Sequence, residues 1–214
     1  MLGHLLALQH DYARAGDLLE LSQAQLHQVG DEEFAGPDRV QHLLDVALVH
    51  NFLGQVRLSQ GDHTGAAQLF EEALSAARHG ADRFTLLISL FDMALAGQAR
   101  GDLRGAAGSL AEGCRIAAGA GDQASAAYYL EALADVARLQ GNPQRAVRLL
   151  ASAGALLEAH GSGWLHAWVP RAPHGDDALA VLRSRMGGEA FDGAWARGRS
   201  IAGRGAGEIA LDGS

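Results

Sequence analysis

Ten histidines and one cysteine are the side chains of this 214-residue chain best suited to bind a metal ion or to act in catalysis. A zinc site in a protein needs converging ligands, for example two histidines four residues apart on a helix with a nearby carboxylate. His42 and Asp45 share a predicted helix face, and His160 lies close to His166, but neither pair completes such a set. We therefore expect structural or solvent-exposed histidines, no metal ion and no cofactor.

The sequence gives little support for nucleophilic catalysis or nucleotide binding. It contains neither a G-x-S-x-G turn, which exposes a catalytic serine, nor a G-x-x-x-x-G-K-[ST] loop, which binds phosphates. Cys114 occupies a position that is apolar in a neighbouring copy of the repeat described below, so we predict a buried structural thiol. We expect that the protein is not an enzyme. An enzyme built on a helical array is the weakest of three functional alternatives.

Two further groups of side chains are of types that commonly bind a partner molecule or a ligand. Glu131 and Asp135 are four residues apart and share a helix face, and Arg138 lies about one turn beyond Asp135. These charges are predicted to bind a partner, with an ordinary solvated face and a weak ion pair as the alternative. Large indole rings near the C-terminus are predicted to form a structural cap or, alternatively, to line a ligand pocket or a homodimer interface: Trp164, Trp168 and Trp195.

The charge balance argues against nucleic acid as a partner. The chain has 17 basic and 25 acidic residues, a formal net charge of −8, and no predicted helix with clustered arginines. Phosphate neutralisation dominates nucleic-acid affinity, so we expect no direct nucleic-acid binding. No charged-then-apolar leader, no apolar run of eighteen residues and no second cysteine are present. We therefore expect a cytoplasmic protein that does not bind a membrane.

Three similar segments, about forty residues apart, define the elements that would position these side chains. The turn glycines are Gly61, Gly101 and Gly141, each followed by aspartate or asparagine. After each glycine, a small, a larger and another small residue follow at fixed spacing, as in Ala66, Phe70 and Ala73. A fixed period of this size indicates a helical repeat. Glycine suits the end of a helix because it tolerates the left-handed cap conformation.

We predict helix throughout, in antiparallel pairs with short turns. The predicted helices are 2–15, 18–29, 38–60, 63–79, 83–100, 103–119, 123–140 and 143–160, with a first turn at Gly16-Asp17 and two short helices near 176–186 and 189–199. The predicted organisation is an atypical N-terminal helical pair (1–36), repeats (37–160), C-terminal capping helices (161–200) and a Gly-rich tail (201–214).

These segments resemble the tetratricopeptide repeat (TPR), in which small residues of one helix face small residues of the next beside a large one. The first copy has Leu53-Gly54, Gly61, Ala66, Phe70 and Ala73 at those places. The long period resembles the variant found in signal-transduction regulators. The ending, including Met186–Phe191 and Ala194–Arg199, looks like that of actinobacterial ATPase-type (LuxR/SARP-like) transcriptional regulators. The resemblance implies an all-α, right-handed superhelical array of about four repeats.

In such an array, the first helix of each pair lines a concave groove. The predicted groove or partner-binding residues are Asn51, Gln55, Phe91, Gln98, Tyr128, Glu131, Asp135 and Arg138. The leading hypothesis is a module that binds a protein or peptide, as the sensor or interaction domain of a bacterial transcriptional regulator. The second is a receptor domain that binds a small-molecule ligand between groove and cap.

Overall fold

The computed structural model describes residues 12–29, 36–80, 82–161, 163–165, 176–201 and 206–211. These residues form ten α-helices and contain no β-strand, which confirms the predicted all-α class. The chain divides into two compact units, Met1–Asp102 and Leu103–Ser214. Within the described residues, no helix is both long and apolar enough to cross a bilayer.

The described part of the first unit contains four helices, and α2 contacts the other three. Alanine dominates the core between α2 and α3, where Ala47, Ala73 and Ala77 are fully buried beside Leu43. Such small side chains allow two helices to pack closely. The four helices are α1 (Tyr12–Val29), α2 (Gly36–Ser59), α3 (His63–Gly80) and α4 (Arg83–Ala99).

Six helices lie in the described part of the second unit. Helix α6 packs between α5 and α7, helix α9 lies on α7, and the short α10 lies mainly on α5. Its largest fully buried side chains include Tyr129, Leu130 and Leu133 of α6. The helices are α5 (Leu103–Gly119), α6 (Gln123–Leu139), α7 (Pro143–His160), α8 (Asp176–Met186), α9 (Gly188–Ile201) and α10 (Ala206–Leu211).

Two glycines show how closely the helices approach within each unit. A Cβ atom placed on Gly54 of α2 would lie 2.4 Å from the ring of Phe70 on α3. In the second unit, a Cβ on Gly113 of α5 would lie 2.3 Å from the ring of Tyr129 on α6. Both distances are far shorter than a carbon–carbon contact, so each aromatic ring occupies space that only glycine leaves free.

The turns at the repeated glycines are confirmed. Gly61, Gly101 and Gly141 lie between helices with φ of 83°, 79° and 74°, a backbone region that favours glycine. The residue after the glycine also acts as predicted. Asp62 accepts a hydrogen bond from the Gly65 amide at 2.9 Å. Asn142 accepts one from the Arg145 amide at 3.0 Å. These side chains satisfy amides that a helix start leaves unpaired.

The structure differs from the prediction near both ends of the described chain. The predicted turn at Gly16-Asp17 is wrong, because α1 runs unbroken from Tyr12 to Val29, and Ala15 and Leu19 are buried on either side. Packing of this helix outweighs the weak preference of Gly16 for a turn. The two short helices predicted near 176–186 and 189–199 are present as α8 and α9. The predicted Gly-rich tail contains α10, whose buried apolar residues are Ala206, Ile209 and Ala210.

Candidate functional site

The groove residues predicted in α2 are used inside the first unit. Asn51 is fully buried and donates from Nδ2 to Ser89 Oγ of α4 at 3.0 Å. Gln55 is half-buried, and its Nε2 donates to both carboxylate oxygens of Asp92, at 3.2 and 3.1 Å. These contacts join α2 to α4. The α2 positions therefore form a polar interface between helices rather than an open groove.

The two groove residues predicted in α4 differ in their exposure. Phe91 is fully buried, so a partner has no access to its ring in this structure. Gln98, near the end of the helix, is half-buried. Asp92, which the sequence analysis missed, is the most unusual side chain of α4. Burial raises its pKa well above the ordinary value for aspartate, and the hydrogen bond from Gln55 partly opposes that shift.

The predicted residues of α6 lie together. Tyr128, Glu131, Asp135 and Arg138 follow a three-four-three spacing, which places them along one side of the helix. All four are at least partly exposed, and Asp135 Oδ1 lies 3.9 Å from Arg138 Nε. The opposite side of α6 is buried in the second unit. We call these four residues the α6 face.

The tryptophans do not form one cluster in the described residues. The Trp164 indole is partly buried and donates from Nε1 to Asp122 Oδ2 at 3.0 Å. Asp122 also caps the start of α6 by accepting from the Ser125 amide at 3.0 Å. Trp164 therefore supports the α6 N-terminus. Trp168 lies outside the described residues.

Trp195 lies on α9 and lines a shallow cavity. Its ring stacks on Phe191 with a centroid distance of 5.8 Å and an interplanar angle of 13°. The Arg183 guanidinium lies 5.2 Å from the Phe191 ring centroid and donates to Asp192 Oδ2 at 2.9 Å. These residues, with Leu179 and Ala180, border a volume of about 300 Å³. The cavity is apolar with one ion pair at its edge.

A second cavity lies between α2 and α3, and the sequence analysis did not predict it. Its volume is about 360 Å³. His50 is its most buried polar residue, with 4% of its surface exposed. Its residues come from one side of each helix, so the spacing alone would have indicated a shared face. The cavity is lined by Arg39, Leu43, Val46, His50, Glu72, Ser75, Ala76 and His79.

Two observations bear on catalysis in the described residues. No group of three or more histidine, cysteine, aspartate or glutamate side chains is arranged to hold a metal ion there. Cys114 is buried, as predicted, and burial raises the pKa of its thiol to about 12. Since the thiolate is the reactive form, Cys114 is a poor nucleophile at neutral pH in this environment.

Comparison with known protein families and with curated proteins gives no match for this chain. Function must therefore be inferred from the site geometry.

Proposed function

We propose that this chain is a non-enzymatic, TPR-like binding module that recognises a protein or peptide through the α6 face. The observation that carries the proposal is that Tyr128, Glu131, Asp135 and Arg138 are brought onto one partly exposed side of α6. By contrast, Asn51, the residue of α2 at the place that corresponds to Glu131, is fully buried.

The chemistry of the α6 face favours a peptide with basic residues. Glu131 and Asp135 offer carboxylates to arginine or lysine, and Tyr128 offers an aromatic ring on which a cationic group can stack. The ion pair between Asp135 and Arg138 is long and partly exposed, so a peptide cation can replace Arg138 at little cost. The net charge of −8 would also speed the approach of a basic segment.

The finer architecture is part of the proposal: a right-handed superhelical repeat of about four units, with a C-terminal helical cap. It is supported by the glycine turns and by the close packing of an aromatic ring against Gly54 and another against Gly113. A place in a bacterial transcriptional regulator, as its sensor or interaction domain, rests on the resemblance of the C-terminal segment alone. Cytoplasmic localisation is proposed with it.

Selection from a random peptide library on the immobilised chain tests the function. We expect enriched peptides to carry arginine or lysine and to bind in a fluorescence anisotropy titration. The double substitution Glu131→Lys and Asp135→Lys is expected to weaken binding at least about tenfold, because two attractive charges become repulsive. The matched control is Glu189→Lys with Glu208→Lys, the same charge change at exposed positions of the same unit.

The control variant should bind as the wild type does. Enrichment of no peptide, or equal weakening by both double variants, would contradict the proposal. Turnover of a substrate that is abolished by one side-chain change would instead establish an enzyme.

A receptor for a small molecule is the second candidate function, favoured by the cavity beside Trp195. Its stacked rings and apolar lining suit a flat apolar ligand. A Trp195→Ala variant that loses binding of such a compound, while retaining peptide binding, would support this alternative.

A further inference from the structure

The cavity between α2 and α3 combines an apolar wall with polar groups at separate positions along its length. Leu43, Val46 and Ala76 form the apolar part, and the first two pack in or against the core of the unit. Arg39 and His50 are eleven residues apart on α2, about three turns or roughly 16 Å along the axis. The cavity is therefore elongated, with a different polar group towards each end.

The His50 end contains a buried donor without an acceptor. His50 Nε2 lies 2.9 Å from the Gln23 side-chain nitrogen, which as an amide donates, so the imidazole proton is on Nδ1. Nδ1 has no hydrogen-bond partner among the described residues, and the nearest carboxylate oxygen, Glu72 Oε2, is 3.5 Å away. A buried donor is costly to leave unpaired, so this atom marks a position for a ligand atom.

His50 Nδ1 and Glu72 Oε2 are 3.5 Å apart, close enough for one ligand atom beside them to contact both, and their chemistry selects the kind of atom. A hydroxyl group can accept from the Nδ1 proton and donate to the Glu72 carboxylate at the same time. A carbonyl or carboxylate oxygen would be repelled by Glu72, and an ammonium group would face the imidazole proton. Burial lowers the pKa of His50, an effect that Glu72 opposes and His27 reinforces. The neutral imidazole therefore keeps a single donor at this position.

The other end of the cavity is cationic. Arg39 is exposed, and the structure gives it no ion-pair partner within the described part of the chain. His79 lies on the facing helix and contacts the Ser75 carbonyl through Nδ1 at 2.7 Å. A ligand carboxylate is the group that best complements a guanidinium, through paired hydrogen bonds.

We propose that the cavity between α2 and α3 binds an ω-hydroxy carboxylic acid of medium chain length. Its carboxylate binds Arg39, its apolar chain lies along Leu43, Val46 and Ala76, and its hydroxyl bridges His50 and Glu72. The cavity volume is about 360 Å³. An eight-carbon chain with both polar ends fits this volume. The site uses no residue of the α6 face and goes beyond the proposed peptide-binding function.

Titration calorimetry on the 214-residue chain tests this site with three probes: 8-hydroxyoctanoate, octanoate and octylamine. We expect 8-hydroxyoctanoate to bind about three- to tenfold more tightly than octanoate, because only the former reaches His50 with a hydroxyl. Octylamine should bind more weakly than octanoate, since its charge opposes Arg39. Binding of 8-hydroxyoctanoate should also shift the His50 ring signals in NMR spectra.

Three variants separate the two ends of the site. Arg39→Gln should weaken both carboxylates about three- to fivefold. His50→Leu should remove the preference for the hydroxyl while keeping octanoate binding. Ser75→Leu, at an exposed position lining the cavity, should block both ligands without disturbing the core. Arg83→Gln is the matched control, an exposed arginine of the same unit that does not line the cavity.

Circular dichroism and thermal unfolding establish that each variant is folded. If His50→Leu does not fold, Ser75→Leu still decides whether the ligand occupies this cavity. The proposal is overturned if no carboxylate binds in the millimolar range, if octylamine binds as well as octanoate, or if Ser75→Leu binds as the wild type does. Any of these results leaves the peptide-binding proposal for the α6 face unaffected.

Discussion

At the scale of single residues, Asp92 is in the environment least suited to its ordinary charge. It is fully buried in α4, and both of its carboxylate oxygens accept a hydrogen bond from Gln55. Burial raises its pKa well above the usual value, near 3.8. Asp92 has a higher pKa in the folded protein than in the unfolded chain. The contribution of its carboxyl group to the free energy of unfolding is therefore complete at pH values below the unfolded pKa. It is lost as pH rises towards and through the folded value.

Asp92→Asn is therefore expected to stabilise the protein at neutral pH. Asparagine keeps one oxygen, Oδ1, that can accept the Gln55 hydrogen bond, and it has no charge to bury. The free energy of unfolding at pH 7 should therefore rise by about 1 kcal/mol. Urea denaturation of wild type and variant between pH 4 and pH 8 measures this. The wild type should lose stability across that range relative to the variant.

The control for this prediction is Asp45→Asn on the exposed side of α2. It should change stability by less than about 0.5 kcal/mol at any pH, as is usual for surface positions. Equal pH profiles for the wild type and Asp92→Asn would show that the Asp92 carboxyl titrates normally in the folded protein.

The sequence located the polar residues of α2 but not their partners in α4. A repeat template assigns a side chain to a helix face, and it placed Asn51 and Gln55 on the side that faces a groove. In the structure, these side chains bond to Ser89 and Asp92, 38 and 37 residues away. Whether such a face meets solvent or another helix depends on tertiary packing, which periodicity does not encode.

At the scale of elements, the pairing of glycine with an aromatic ring sets the distance between helices. The ring of Tyr129 occupies the position of a missing Cβ on Gly113. Gly108, in the same helix α5, is exposed and has no atom within 4 Å of its hypothetical Cβ. The two glycines therefore have opposite consequences for substitution by alanine.

Gly113→Ala is expected to lower the free energy of unfolding by about 1–3 kcal/mol, because the added methyl group displaces the Tyr129 ring. Gly108→Ala should raise it by about 0.5–1 kcal/mol, because alanine costs less conformational entropy in a helix. Chemical denaturation of both variants measures the difference. Stabilisation by both substitutions would show that α5 and α6 are not held at the distance described.

Sequence predicted the elements well where spacing alone decides them. The turns at Gly61, Gly101 and Gly141 required only a left-handed backbone and a following cap. The prediction from sequence failed at Gly16, because packing keeps α1 continuous there. It also failed at α10, a short helix that is buried through three small or branched apolar residues. In both cases long-range burial outweighed the local preference of glycine.

At the scale of the whole molecule, the charge distribution sets which partners can approach. A net charge of −8 repels phosphate backbones, and the proposed function requires no nucleic-acid contact. We expect no mobility shift of a DNA duplex at low salt with up to about 10 µM protein, a concentration at which non-specific binders begin to bind. A shift that disappears as salt is added would reveal a phosphate-binding surface and contradict this expectation.

The thiol of Cys114 lies beneath α10, so the rate at which a reagent modifies it reports how often α10 opens. Its Sγ lies 3.4 Å from the Ala206 carbonyl of α10, so reagent reaches the sulfur only after that helix has moved away. We expect Ile209→Ala, which removes buried surface from α10, to accelerate labelling by a disulfide reagent several-fold. The rate of global unfolding should change much less. The colour reaction of the reagent would then follow the opening of α10 at the native cysteine, with no engineered thiol.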